Sequence, residues 1–217
     1  MSVPAPTPAA VPPEVVVFDL GKVLLEFDYG LAARALAPAS LRDAAHIRQV
    51  LDQSPLLHRL ESGQLDEEGF EQEVRQETGY SGTRDDFRRH FGDIFSEVPE
   101  MIALHAQLKR HGVRTVLFSN TNGLAVDHIR SRYPVFSEFD GWVLSYQAGA
   151  MKPDARAYQA VESLTGCAGP SLLYVDDRPE NIEAGRRRGW RTILHQAPAV
   201  TRDAVRRQFP ALSSVWE

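Results

Sequence analysis

Cysteine is nearly absent from this chain, with Cys167 alone among 217 residues. That excludes an internal disulfide framework and a cysteine-rich zinc site, and it fits a reducing compartment. Long apolar runs are missing too, none approaching the roughly 20 residues of a membrane span. Positive charge is not in excess: 24 Lys and Arg against 29 Asp and Glu leave a net charge of −5. Such a balance argues against nucleic acid or an anionic membrane surface as the principal partner. The seven histidines show no metal-binding spacing. The opening, MSVPAPTPAAVPP, has no basic stretch and no continuous apolar run, so it is not read as a secretory signal. Its prolines predict a polyproline-like or disordered tail over residues 1–13, with folded structure from Glu14. The cytoplasm is the expected location.

What is present is a rhythm. Residues 14–20, EVVVFDL, form a β-branched run ended by an aspartate, the pattern of a strand buried on both faces of a parallel sheet. RTVLFSN (114–120), SLLYVDD (171–177) and RTILH (191–195) repeat it, and GWVLSY (141–146) is a fifth, weaker strand. Helical signals lie between them. Pro99 suits a first turn, Met101, Leu104 and Leu108 share a face, and Gly112 ends the helix. After Pro153, Tyr158, Val161 and Leu164 recur at helical spacing as far as Gly166. PENIEAGRRRG carries Glu180 near its start and three arginines near its end, matching the helix dipole. The fold class is therefore α/β, a Rossmann-like parallel sheet with helices on both faces.

Residues 28–95 break the rhythm. They hold no strand-like run but five helical stretches: LAARAL, LRDAAHIRQVL, PLLHRLES, DEEGFEQEVRQE and TRDDFRRHF. Five helices need a layer of their own, so the expectation is an all-helical insertion after the first strand. Residues 14–27 and 96–217 then make the core.

Parallel strands joined by right-handed crossovers bring their carboxyl ends to one sheet edge. Asp19, Ser119 with Asn120, the loop carrying Lys152, and Asp176 with Asp177 should meet there. Three neighbouring carboxylates repel unless a cation joins them, and an oxygen-only set suits Mg²⁺. Lys152 and Ser119 add a charge and a hydroxyl for an anion, and a carboxylate near Mg²⁺ can act as a nucleophile. Each residue alone has an ordinary explanation. Asp19 can simply open a turn, and Asp177 can cap the helix that follows it. Lys152 can be a solvated loop lysine, and Ser119 can satisfy backbone groups. Four together, each at a strand end, outweigh those readings.

FDLGKV (18–23), SNTNG (119–123), MKPD (151–154) and DDRPENIEAGRRRG (176–189) resemble the four ordered motifs of the haloacid dehalogenase-like hydrolase superfamily. The helical insertion looks like that family's cap. Within the superfamily the chain is most similar to bacterial sugar-phosphate phosphatases of the α-D-glucose-1-phosphate phosphatase type, which LESGQLDEEGF in the insertion supports. It is more distantly similar to the phosphatase domain of soluble epoxide hydrolases. The resemblance implies a Mg²⁺-dependent phosphatase acting on a small phosphorylated metabolite, a sugar phosphate, through an aspartyl-phosphate intermediate. It implies Asp19 as nucleophile and metal ligand, with the Gly21 carbonyl, Asp176 and Asp177 also on the metal. Ser119, the Asn120 backbone and Lys152 would bind the phosphoryl group, and Asn181 would brace the loop.

One position departs from the family pattern. Gly21 stands where these phosphatases generally carry a second aspartate as general acid and base, a group whose loss typically costs about 10²–10⁴-fold. The sugar-1-phosphate subgroup itself often carries DLGNV, so glycine there does not imply inactivity. Gly21 alone predicts that an aryl phosphate or a sugar-1-phosphate is hydrolysed far better than a simple alkyl phosphate. Two alternatives follow: a catalytically silent or weak phosphate-binding, regulatory protein, and a metal-independent dehalogenase, which would leave Asp176 and Asp177 unexplained. Lys22 is a further departure. His58 and Glu61 fall on an inserted stretch that can face the site, although a solvated helix face is their simpler reading.

Overall fold

A computed structural model describes residues 11–210, so the expected tail lies largely outside the described residues. Strand β1 (Val15–Phe18) is the centre of a five-stranded parallel sheet. Its companions are β4 (Arg114–Ser119), β5 (Gly141–Leu144), β6 (Leu172–Asp176) and β7 (Arg191–Leu194), in the spatial order β5-β4-β1-β6-β7. All five are the runs expected from the sequence. Val15 pairs with Arg114 on one side and Leu172 on the other, and Phe18 with Leu117 and Val175. That register brings the ends of β1, β4 and β6 to within two residues of one another.

The helices between strands are α6 (Pro99–Arg110), α7 (Gly123–Arg132), the single turn α8 (Ser145–Ala148), α9 (Ala155–Thr165) and α10 (Pro179–Arg187), and α11 (Pro198–Gln208) follows β7. Side chains of β1 alternate between two apolar layers, as strand geometry requires. Val16 and Phe18 pack with Met101, Leu104 and Leu108 of α6 and Val205 of α11, whereas Val15 and Val17 face Tyr158 and Val161 of α9 and Ile182 of α10. Leu164 does not join its expected face: it is 47% exposed. Its side chain lies over Gly141 at the start of the edge strand β5, where the sheet covers only part of it, so the third member of that repeat stays partly exposed. The helices α7, α8 and α11 were not signalled by sequence periodicity.

The inserted segment carries five helices between Tyr29 and Gly92, and it enters and leaves through a feature the sequence did not suggest. Strands β2 (Leu25–Phe27) and β3 (Phe95–Glu97) pair antiparallel, Phe27 opposite Phe95. Between them run α1 (Tyr29–Leu36), α2 (Ala44–Leu51), α3 (Pro55–Glu61), α4 (Glu67–Thr78) and α5 (Arg84–Gly92). Each starts on a residue whose side-chain oxygen accepts from a first-turn N–H: Asp28, Asp43, Ser54, Asp66 and Thr83. Such a cap is worth about 1 kcal/mol apiece, which fixes where short helices begin. These helices share their own core around Phe70, Phe87 and Phe91. Among the described residues, no helix is long and apolar enough to cross a membrane.

Candidate active site

Because β1, β4 and β6 end within two residues of one another, Asp19, Ser119 and Asp176 arrive at the same edge of the sheet. Lys152 reaches them from the loop between α8 and α9. It is almost wholly buried, and its Nζ stands 2.8 Å from Asp19 Oδ1 and 2.7 Å from Asp176 Oδ2 while donating to the Phe118 carbonyl at 2.9 Å. The solvated-loop reading of this lysine is therefore wrong. Asn120 fixes the lysine's backbone from both sides: its amide donates to the Lys152 carbonyl and its Oδ1 accepts from the Lys152 N–H.

Asp176 is the most heavily supported carboxylate. Besides Lys152, it accepts from the Tyr174 hydroxyl, from Asn181 Nδ2 (3.0 and 3.1 Å) and from the Arg178 N–H (2.8 Å). The α10 cap position is taken by Arg178, with no side-chain capping bond, so Asp177 does not serve as the helix cap. Tyr174 escaped the sequence reading. Its signal was its position two residues before Asp176, which puts both on one face of the strand.

The charges divide unevenly around one buried ammonium. Burial pushes the Asp19 carboxyl up to about 7, Lys152 pulls it back and the nearby Asp176 raises it further. Burial also works against ionised Asp176, but the Lys152 charge and the donated hydrogen bonds hold it below the usual range. For Lys152, desolvation is outweighed by the two carboxylates, which raise its pKa. Asp177, half-buried beside Asp176, is raised by burial first and by that charge second. One oxygen from each of Asp19, Asp176 and Asp177 lies within 4.8 Å of the others. Two strained carboxyls in an oxygen-only set are what a hard dication relieves, so these residues fit Mg²⁺.

Asp19, Gly21, Ser119, Asn120, Lys152, Asp177 and Asn181 line one cavity of about 770 Å³, and Asp176 stands directly behind its floor. The roof comes from the helical segment, with His58 and Glu61 of α3 on its wall. The simpler reading of Glu61 as a solvated side chain does not hold. The Gly21 backbone has no left-handed φ; that conformation falls on Lys22, at 63°. What constrains Gly21 is Phe27, whose ring would lie 2.8 Å from any added Cβ. An aspartate there requires the ring to move.

The haloacid dehalogenase-like hydrolase family matches residues 13–189 of the chain. A D-ribitol-5-phosphate phosphatase from Bacteroides thetaiotaomicron is 26% identical over 82% of this chain and 89% of its own length. A predicted HAD-like family hydrolase from Porphyromonas gingivalis is 28% identical, with a TM-score of 0.72 over 88% of this chain and 98% of that one. A HAD family enzyme from Bacteroides thetaiotaomicron, solved with magnesium and inorganic phosphate, shares the fold at 19% identity, with a TM-score of 0.75 over 85% of this chain and 95% of its own.

Proposed function

The chain belongs to the haloacid dehalogenase-like hydrolase family, and from that premise we propose that it is a Mg²⁺-dependent phosphatase of a small phosphorylated polyol or sugar. The observation that carries this reading is Lys152 held between Asp19 and Asp176 at the floor of a deep cavity, with Asp177 alongside. Asp19 would attack phosphorus, forming an aspartyl phosphate as the ester oxygen departs. The Lys152 ammonium would keep Asp19 oriented and offset charge on the phosphoryl oxygens. The Ser119 hydroxyl and the Asn120 backbone N–H would bind two of those oxygens. Asp19, the Gly21 carbonyl, Asp176 and Asp177 would hold Mg²⁺, which supplies charge neutralisation for the carboxylate cluster and the phosphate. The Asp176–Asp177 pair favours this chemistry over metal-free dehalogenation, where it would have no task. The ribitol-phosphate relative and the polar side chains Asp52, Gln53, Ser54 and His58 on the cavity wall support a hydroxylated leaving group.

Two measurements test the reading. Assayed with Mg²⁺, a panel of phosphate monoesters should include sugar or polyol phosphates among the best substrates, with turnover lost in chelator. Independently of activity, saturating Mg²⁺ should raise the melting temperature, because a ligand at about 100 times its dissociation constant stabilises by about 2.7 kcal/mol. For a chain of this size that is a shift of about 5–10 °C. No shift with Mg²⁺ and no turnover of any monoester would refute the proposal.

A further inference from the structure

Gly21 leaves the proposed reaction without the proton donor its family pattern supplies, and the Phe27 ring occupies the space into which a side chain at that position would grow. An acid that replaces it has to come from the cavity wall, which narrows the choice. Above the floor it carries three carboxyl groups: Asp28, Asp52 and Glu61. Asp28 caps α1, accepting from the Gly30 N–H at 2.7 Å, and pairs with Arg34. Asp52 pairs with Arg48 at 3.3 Å. The Glu61 carboxylate accepts no hydrogen bond among the described residues. His58, one turn earlier on α3, is exposed, and the buried Tyr29 phenol is pushed by desolvation well above its ordinary range, too weak an acid for the task.

Position favours Glu61 as strongly as elimination does. The Ser145 hydroxyl donates to the Glu61 carbonyl at 2.6 Å and accepts from the Thr121 N–H at 2.9 Å. Glu61 is thereby tied through one hydroxyl to the loop that carries Ser119 and Asn120. Two residues on, Gly63 takes a left-handed φ of 73° and packs so close that a Cβ would sit 2.5 Å from the Tyr146 carbonyl. The end of α3 is thus pressed onto the core beside the phosphoryl-binding residues.

We propose, resting on the phosphatase reading above, that Glu61 is the general acid and base of this enzyme, supplied by the helical roof in place of the residue missing at Gly21. As Asp19 Oδ bonds to phosphorus and the P–O ester bond breaks, the Glu61 carboxyl gives its proton to the departing oxygen, releasing the alcohol. In the second half, water attacks phosphorus, the Asp19–P bond breaks, and the Glu61 carboxylate takes the proton lost by the water. Inorganic phosphate leaves and both side chains return to their starting states. Burial raises the Glu61 carboxyl to about 7, only partly opposed by the Arg178 guanidinium across the cavity, so a useful fraction is protonated near neutrality. Arg178 and Tyr29 are the charged and titratable groups coupled to it.

The test is a series of phosphate monoesters running from aryl to alkyl leaving groups, assayed with Mg²⁺ on the unmodified protein, Glu61→Gln and Glu61→Asp. The unmodified protein should show a shallow dependence of kcat/KM on leaving-group pKa, unlike the steep one that Gly21 alone predicts. Glu61→Gln should steepen it, losing about 10²–10⁴-fold on alkyl esters and much less on aryl esters. Since the protonated form acts first, kcat/KM of the unmodified protein should fall as pH rises through about 7, and that limb should vanish in Glu61→Gln. Glu61→Asp should recover part of the alkyl activity. Equal proportional losses across the series, or a persistent limb, would overturn the role of Glu61 while leaving the phosphatase reading intact. Failure of the unmodified protein to hydrolyse any member would overturn both.

Discussion

Replacing Asp19 by Asn should abolish phosphate-ester hydrolysis, by about 10⁴-fold or more, the scale expected when a covalent nucleophile is removed. The amide matches the carboxylate in size, so the cavity keeps its shape, but it has no anionic oxygen to attack phosphorus. The same substitution should not harm the fold. Asp19 has a raised pKa in the folded protein, meaning that the folded state resists its ionisation more than the unfolded chain does. The stability this group permits is greatest below its ordinary pKa near 4 and is lost as pH rises towards about 7. Asn has no such titration. In chelator, the variant should therefore melt no lower than the parent at pH 8, and the difference between them should shift in the variant's favour from pH 4 to pH 8. Near-parental turnover by pure Asp19→Asn would remove Asp19 from the mechanism.

Lys152→Met carries the largest expected cost in stability. The ammonium is buried against two carboxylates, a backbone carbonyl and the rings of Phe118 and Tyr174. Methionine fills much of that volume but leaves Asp19 and Asp176 facing each other with no cation between them. Removing one partner from a buried charged cluster typically costs about 3–5 kcal/mol, or about 6–20 °C in melting temperature for a chain of this length. Protonating the stranded carboxylates relieves the repulsion, so the deficit should shrink at acid pH, and Mg²⁺ should restore part of it at neutral pH. Activity should fall as well, by about 10²–10³-fold, as for loss of a preorganised charge on the reacting group. A variant melting within 2 °C of the parent in chelator (roughly 1 kcal/mol or less) would mean that Lys152 is not the electrostatic keystone of the floor.

The central strands β1, β4 and β6 were legible because each is a run of apolar, largely β-branched and aromatic residues buried on both sides, whereas the edge strands β5 and β7 are only partly buried and show a weaker version of the pattern. The strand ends were legible for the same reason: Asp19, Ser119 and Asp176 are the first polar residues after apolar runs. Ribbon strands β2 and β3 were not, since three residues cannot display a period. The α7 helix was hidden because its pattern is dominated by small and charged residues rather than an apolar stripe. Within the site, Tyr174 reads as one more core aromatic until the register shows it sharing a face with Asp176. Glu61 illustrates a different obstacle. Its placement arises where the helical segment meets the sheet edge, and no local pattern records a contact between segments so far apart in the chain.

The β2–β3 ribbon has a consequence for how such a molecule can change over evolutionary time. Phe27 and Phe95 lie opposite each other, so the chain leaves the sheet and returns to it at the same place. Topologically the whole roof is an ornament on a hairpin: a tight turn joining β2 to β3 would close the same ribbon without disturbing the strand order. Loop-closure entropy grows only with the logarithm of length, so a shorter or longer insertion at this junction carries little penalty. Specificity and hydrolytic machinery can therefore vary as separate modules, the one by exchange at the hairpin and the other by the strand ends. The proposed acid on α3 makes an exception to that independence: a lineage that moved its proton donor into the roof could no longer swap the roof freely.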